Sequence, residues 1–373
     1  MSRTRIGVLF GGRSTEHEVS VLSARSIISA IDPERFEVIP LYVDRSGRWL
    51  VGDSLAELTQ LRDSGSYVYL PPDPTQRALV TAVEASGAGP AMPALDVVFP
   101  VFHGLNGEDG TIQGVLELAN LPYVGSGVLG SALGLDKIYM KRAFAAVGLP
   151  VVEYLAITRR RFEENPEAFV KEAESRLGYP CFTKFANSGS SVGTSKAHNR
   201  QELLSGLRLA AGFDRKLLVE RGIEARELEV SVLGNDAPEA SVVGEVVPAR
   251  EFYDYEAKYL DESSRLVIPA EIAPAQSEEI RGMAVHAFQA VDAAGMARVD
   301  FFLERGTDRV YLNEVNTIPG FTRISMYPKL WEASGLPYRQ LVERLIELAL
   351  ERFKDKQRSQ TAIDSRLLRE TQA

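Results

Sequence analysis

At 373 residues the chain is too long for one ordinary core, and a content of 45% hydrophobic with 25% charged residues is that of a globular protein of two or three domains. A formal net charge of −9 without any basic run argues against general affinity for nucleic acid or an anionic membrane, while leaving room for a local basic pocket. A single cysteine, Cys181, excludes an intrachain disulfide, and no segment approaches the length of a transmembrane helix. The opening MSRTRIGVLF is too short in apolar residues for a signal-peptide core with a cleavage site, so a cytoplasmic location with no nucleic-acid or membrane partner is expected.

Ile6–Phe10 is a short apolar run ended by Gly11–Gly12, which predicts a buried strand and a turn. A helix follows. Thr15 and Glu18 fit a capping box, and Val19, Leu22, Ser26, Ile27 and Ala30 fall on one helical face. Phe36–Val43 reads as a second strand, so the chain opens as a βαβ unit with a parallel sheet and ligands expected near the strand C-termini. Residues 45–94 hold short helical and strand-like pieces and no assigned chemistry. Leu95–Phe102 predicts another strand, followed by the glycine-rich turn HGLNGEDG. Asp136 is placed to cap a helix running to Val147, with Gly148 and Pro150 as its stop signals. Strands are expected at Tyr179–Phe185, Leu217–Glu220 and Arg226–Leu233. A hairpin begins at Ala297 and closes with Val310–Asn316, residues 334–353 form an amphipathic helix, and a polar, frayed tail starts at Lys354.

The hairpin ARVDFFLERGTDRVYLNEVN carries the clearest chemical pattern. Alternation puts Arg298, Asp300 and Phe302 on one face, and Leu312, Glu314 and Asn316 on one face of the return strand. A turn centred near Thr307 sets Asp300 opposite Glu314 and Arg298 opposite Asn316, with Cβ atoms about 4.5–5.5 Å apart. Two carboxylates that close repel unless a proton or cation lies between them, and Asn316 completes an all-oxygen set of the kind that selects Mg²⁺. The competing reading is a solvated hairpin face, against which the long apolar residues between the acids argue for a buried sheet. Lys184 ends a strand before NSGSSVG, where Gly189 and Gly193 let the backbone offer N–H groups to an anion and Ser190 and Ser191 add hydroxyls. This is not a Walker A loop, and an ordinary surface loop fits it equally. Lys137 stands in the first turn of its helix against the macrodipole, a position that a bound phosphate would explain and that a lysine pointing away would also explain. Gly11–Gly12 lacks the dinucleotide spacing. Glu16 and Glu18 sit where the helix dipole favours a carboxylate, and for Glu18 capping is the expected role. His103 fits a satisfied polar residue, a base or a ligand group; His17, His198 and His286 make no metal pattern with it, and Cys181 reads as a small buried hydrophobe.

Taken in order, GGRSTEHEVS, HGLNGEDGTIQG, GSALGLDK, GSSVG, YDYEAKY and ARVDFF…LNEVNTIPGFT resemble the D-alanine–D-alanine ligases of the ATP-grasp superfamily, over residues 5 to about 350 with a weaker stretch at 45–94. The resemblance implies an α/β chain with the ATP-grasp fold: an N-terminal Rossmann-like parallel-sheet domain over 1–125, then two α+β domains that sandwich ATP, central 126–220 and C-terminal 221–353, with a polar tail 354–373. It implies ATP and two Mg²⁺ (or Mn²⁺) as cofactors, D-alanine as the small-molecule substrate and a homodimer. Asp300, Glu314 and Asn316 match the metal ligands, with Glu314 bridging. Lys137 and Lys184 match the phosphate lysines, and Gly189, Ser190, Ser191 and Val192, with Gly193, the loop that covers the phosphates. Glu220 and Ile223 resemble the adenine hinge, and Glu227 the ribose-binding acid. Glu16 matches the group that binds the first D-alanine's ammonium, with His103 nearby; Arg298 and the Gly320 backbone match the oxyanion stabilisers; Ser325 and Met326 match the segment that holds the second D-alanine's carboxylate. Tyr259, with Ser190 and Glu16, resembles a hydrogen-bonded trio. One departure is KFANSG after Lys184, where the family pattern has a proline next.

The implied reaction is ATP-dependent joining of two D-alanines through an acyl phosphate, for peptidoglycan precursor synthesis, with loops 189–193 and 250–262 expected to close over the intermediate. The alternatives are a D-alanine–D-lactate ligase or another ATP-grasp ligase, against which Tyr259 speaks because lactate-using relatives often carry histidine there, and a non-catalytic nucleotide-binding module, which would be expected to lose the metal carboxylates or Arg298.

Overall fold

Three strands with near-continuous apolar runs begin the structure, a computed structural model that describes residues 3–52, 66–81, 94–187, 189, 193–247 and 265–360. β1 (Thr4–Gly11) pairs in parallel with β2 (Phe36–Val43) on one side and with β6 (Val97–Pro100) on the other. The sheet is mixed where a parallel one was expected. β3 (Trp49–Val51), β4 (Ser66–Tyr69) and β5 (Val80–Thr81) add antiparallel strands beyond β2, giving the order β5-β4-β3-β2-β1-β6. Short connections allow only antiparallel neighbours, which is why the stretch after β2 extends the sheet instead of crossing over it.

Helix α1 (His17–Ala30) follows β1, but the expected capping box is absent. Its N-cap is Glu16, with no side-chain cap bond; the Glu16 N–H donates to Ser14 Oγ (3.1 Å), and Glu18 instead accepts from Arg45 (2.7 Å). The buried face is also rotated from the predicted one: Val19, Ser20, Ser23, Ala24 and Ile27 face inward, while Leu22 is exposed. α2 (Thr111–Leu118) and α3 (Val128–Leu135) lead into α4 (Lys137–Ala146). Here the predicted cap is realised: Asp136 accepts from the Ile138 and Tyr139 N–H groups, each at 3.1 Å.

The second sheet is antiparallel, in the order β7-β10-β8-β9, from β7 (Tyr154–Thr158), β8 (Cys181–Phe185), β9 (Ser195–Ala197) and β10 (Lys216–Arg221). α5 (Arg159–Glu164), α6 (Pro166–Arg176) and α7 (Arg200–Phe213) accompany it, and Phe162, Phe169, Leu203 and Leu207 bury against Cys181 and Val219. The third sheet, β13-β12-β11-β14-β15, is also antiparallel: β11 (Ala225–Gly234), β12 (Glu239–Val247), β13 (Arg265–Val267), β14 (Gly295–Glu304) and β15 (Val310–Asn316). α8 (Pro274–Ala290) covers its apolar face with Ile280, Ala284, Ala287 and Phe288.

α9 (Met326–Ala333) and α10 (Tyr338–Lys356) close the described chain, and helix continues past Lys354, where fraying was expected. Leu341, Leu345 and Ile346 of α10 pack in one core with Ile6, Val8 and Phe10 of β1. Each such side chain contributes about 1.5–3 kcal/mol by leaving water. The last helix therefore ties the end of the chain to its first sheet. Among the described residues no helix is long and apolar enough to cross a membrane.

Candidate active site

The β14–β15 hairpin has the predicted register. Arg298 stands opposite Asn316 and Asp300 opposite Glu314. The predicted faces need one correction. The register shifts between Asp300 and Phe301, so Asn313 is an extra residue and Leu312 pairs with Phe301 in the core, away from Glu314 and Asn316. A bulge re-aims the strand end, which is how a side chain two residues from Glu314 becomes core.

The carboxylates do not face one another unpartnered. Arg298 grips Asp300 with two bonds of 2.7 Å, and its Nε lies 3.0 Å from Glu229, which the register sets beside Asp300 on β11. Asn316 donates to Asp300 Oδ2 at 3.0 Å, and Lys137 donates to Glu314 at 2.8 Å. Lys137 is thus matched by a carboxylate, neither pointing away nor left to the helix dipole. Among the described residues no three His, Cys, Asp or Glu side chains form a metal site by themselves. The third donor here is the Asn316 amide, and two carboxylates with one amide oxygen suit a hard cation.

Lys184 lies on β8, with Glu220 on the neighbouring β10, and the two form an ion pair. Burial works against the Lys184 ammonium, yet Glu220, Glu314 and Glu227 outweigh it and hold the group above its ordinary value. Burial opposes the Glu220 carboxylate, but Lys141 and Lys184 keep it well below the usual range. Ile223 is half-buried in the turn from β10 to β11, and Glu227 follows on β11.

On the opposite wall, Glu16 is buried between two glycines. A Cβ on Gly104, whose φ is +75°, would stand 2.8 Å from Glu16 Oε2, and one on Gly189 only 2.6 Å from the same oxygen. The first residue of the GSSVG loop and the HGLNGEDG turn thus close on one carboxylate, and at Gly104 the positive φ also favours glycine. A cavity of about 440 Å³ opens there, lined by Glu16, Gly104, Leu105, Phe185, Asn187 and Gly189 among others. A hollow of about 590 Å³ beside α1 and β2 is larger, but its acids Glu18 and Asp44 are paired with Arg45 and Arg48. Ser190, Ser191, Val192 and Tyr259, and with them the 250–262 segment, lie outside the described residues.

His103 is a bridge. Its Nδ1 lies 3.0 Å from the Ile318 carbonyl and its Nε2 3.2 Å from Ser23 Oγ. A carbonyl can only accept, so Nδ1 carries the proton and Nε2 accepts from the serine. Burial lowers its pKa, which keeps the ring neutral. Both nitrogens are thereby engaged by protein groups, the satisfied polar residue that was one of its three readings. Ser325 begins α9 and shares a 2.8 Å bond with Thr322 Oγ1. The Met326 side chain packs with Val246 and Leu330. Gly320 is half-buried, between Ile318 and Phe321.

Four residues were not singled out in the sequence. Glu229 and Ser23 gain their importance only from pairing across the fold. Lys141 was legible one helical turn beyond Lys137. Glu108, inside HGLNGEDG, accepts from the Gly104 N–H (2.7 Å) and the Ile318 N–H (3.0 Å). Burial first, then the Glu16 carboxylate, push it up from 4.5 to about 8 despite these two donors. A carboxyl raised in the fold keeps its proton where the unfolded chain has released it. Its contribution to stability is intact below about pH 4.5 and is lost as pH rises through about 8. The protein is therefore expected to lose roughly 2–4 kcal/mol through Glu108 across that window, and Glu108→Gln to flatten the loss. Thermal unfolding of both proteins at both ends of the window checks this; parallel profiles would contradict it.

The family model described as D-ala D-ala ligase N-terminus matches residues 5–126, and that described as D-ala D-ala ligase C-terminus matches residues 143–347. The D-alanine–D-alanine ligase of Heliobacterium modesticaldum is 53% identical over 97% of this chain and 98% of its own. That of Geobacillus thermodenitrificans is 50% identical over 95% and 98%. Among solved structures, the D-alanine–D-alanine ligase of Coxiella burnetii superposes with a TM-score of 0.84 at 34% identity, covering 96% of this chain and 97% of its own. The VanG D-Ala:D-Ser ligase of Enterococcus faecalis gives 0.83 at 35% identity, covering 93% and 100%.

Proposed function

The chain belongs to the D-alanine–D-alanine ligase family, an ATP-grasp enzyme that joins two D-alanines for peptidoglycan synthesis, and from that premise we propose which of its own side chains do the work. Asp300, Glu314 and Asn316 would hold two divalent cations, Mg²⁺ or Mn²⁺, with Glu314 as a shared ligand. Bound there, the cations would offset phosphate charge. Lys137 and Lys184 exchange their carboxylate partners for the nucleotide's phosphates, beneath Gly189, Ser190, Ser191 and Val192. Glu220 and Ile223 border the adenine, and Glu227 takes the ribose hydroxyls.

Glu16 receives the ammonium of the first D-alanine, leaving its carboxylate to attack the γ-phosphate and release ADP. Such a transfer asks for alignment and charge neutralisation from the protein. The second D-alanine, its carboxylate held by Ser325 and the Met326 backbone, attacks the acyl carbonyl with its uncharged amine. Arg298 and the Gly320 N–H stabilise the oxyanion until phosphate leaves. Ranges 1–125, 126–220 and 221–353 are proposed as the domains around this site, a homodimer as the assembly and the cytoplasm as its location.

The carrying observation is the convergence of Asp300, Glu314 and Asn316 from one hairpin with lysines from two other elements. The test is phosphate release from ATP and magnesium on adding D-alanine, with L-alanine, D-serine and D-lactate as controls. Release with D-lactate as acceptor but no dipeptide would overturn the acceptor assignment, and no D-alanine-dependent release would overturn the reaction.

Tyr259 is proposed to keep the acceptor site neutral. A protonated imidazole in its place would favour the lactate anion and repel an ammonium. Tyr259→His is expected to raise depsipeptide over dipeptide formation, most at mildly acidic pH, and to lower dipeptide synthesis by roughly 0.5–1.5 kcal/mol for each hydrogen bond of the trio that the family resemblance implies. Product ratios over about pH 5.5–8 with both acceptors present decide it. A ratio equal to the parent's at every pH would show that Tyr259 does not read the acceptor.

A further inference from the structure

Three lysines gather around the proposed phosphate site, and one of them, Lys141, has no part in the reaction as described. Its side chain is 1% exposed, one turn along α4 from Lys137. An ammonium so enclosed persists only beside an anion. Glu220, 3% exposed, is that anion: its Oε1 faces Lys141 Nζ and its Oε2 faces Lys184 Nζ. Lys141 Nζ also lies 3.5 Å from the Asn313 carbonyl and 5.9 Å from the centroid of the Tyr154 ring. One carboxylate therefore serves two ammonium groups, one on each oxygen.

The two ammonium groups differ in freedom. Lys184 is 14% exposed and ends a strand that runs into the glycine-rich loop. Lys141 is locked in a helix between two sheets. If Lys184 turned to a phosphate with no other cation present, Glu220 would be left as a buried, unmatched charge, and that penalty would subtract from nucleotide affinity.

We propose that Lys141 is a positioning residue, the permanent counter-ion of Glu220 that frees Lys184 to move to the nucleotide. The same carboxylate parks Lys184 in the empty site and, through Lys141, stays neutralised after it leaves. This rests on Lys184 being a phosphate ligand, and the experiment separates the two ideas.

The probe is an ATP analogue with an imido β–γ bridge, its binding to the full chain measured by calorimetry with magnesium. Lys184→Met should weaken binding; if it does not, the reading of Lys184 fails and the proposal with it. Given that loss, Lys141→Met should raise the analogue's Kd by about tenfold or more, with the KM for D-alanine changed less than about twofold. Lys141→Met combined with Glu220→Gln should bind within about threefold of Glu220→Gln alone, because the Glu220 charge that Lys141 matches is already gone. A merely structural lysine would leave the double variant as impaired as the single one. An unchanged Kd in Lys141→Met, or no recovery in the double variant, overturns the proposal. Where Lys141→Met does not fold, the double variant decides against Glu220→Gln: equal affinity supports the counter-ion role and a further loss overturns it.

Discussion

Glu314→Ala is expected to reduce ligation by about 10²–10⁴-fold, since metal-assisted charge stabilisation is worth several kcal/mol and each decade of rate is about 1.4 kcal/mol. The residue stands opposite Asp300 and two places from Asn316, in the set proposed to hold the cations. Carboxylate repulsion alone would make this variant more stable than the parent. The structure reverses that expectation, because Glu314 accepts from Lys137 at 2.8 Å with both side chains mostly buried. Removing it strands the lysine, and a loss of roughly 1–2 kcal/mol is expected. Turnover at varied magnesium, with thermal unfolding alongside, reads both effects. Near-normal turnover at ordinary magnesium would end the metal assignment, and a raised unfolding midpoint would show that the Lys137 pair contributes nothing.

Arg298→Lys is the second large effect, although the charge is kept. Arg298 spans two carboxylates, holding Asp300 through two nitrogens and Glu229 through Nε. An ammonium is a point charge and cannot reproduce that planar fork. Asp300 would lose its orientation, and the oxyanion would lose a donor worth about 3 kcal/mol, so kcat is expected to fall roughly 10²-fold or more. ATP binding should weaken less than kcat, because the arginine is assigned to the acyl-transfer step. Equal losses in kcat and ATP affinity would instead make Arg298 a support for the nucleotide site alone. Parent-like kinetics would remove it from the mechanism.

These two cases show where sequence reasoning reached and where it stopped. The hairpin register was legible because alternation and a turn near Thr307 leave few pairings that bury the apolar residues. The bulge at Asn313 was not, since one extra residue changes no local pattern and is selected by how Leu312 packs on Phe301. The cap at Asp136 was legible because it acts within its own helix turn. The cap assigned to Glu18 failed because Arg45, far along the chain, offered a full charge where the helix end offered a partial one.

Sequence by itself determined the family, the fold class and the order of the chemical groups, because local patterns of glycine, charge and alternation carry them. What only the tertiary structure decided is which charge partners which. Glu229 beside Arg298, Lys141 on Glu220, Glu108 on Ile318 and His103 between Ser23 and Ile318 are contacts between distant segments. Burial makes those pairings strong, since an unmatched charge or donor away from water costs several kcal/mol, about as much as a good fraction of a domain's stability. A linear pattern holds the residue types, but the dielectric around each one exists only once the three sheets have closed on each other.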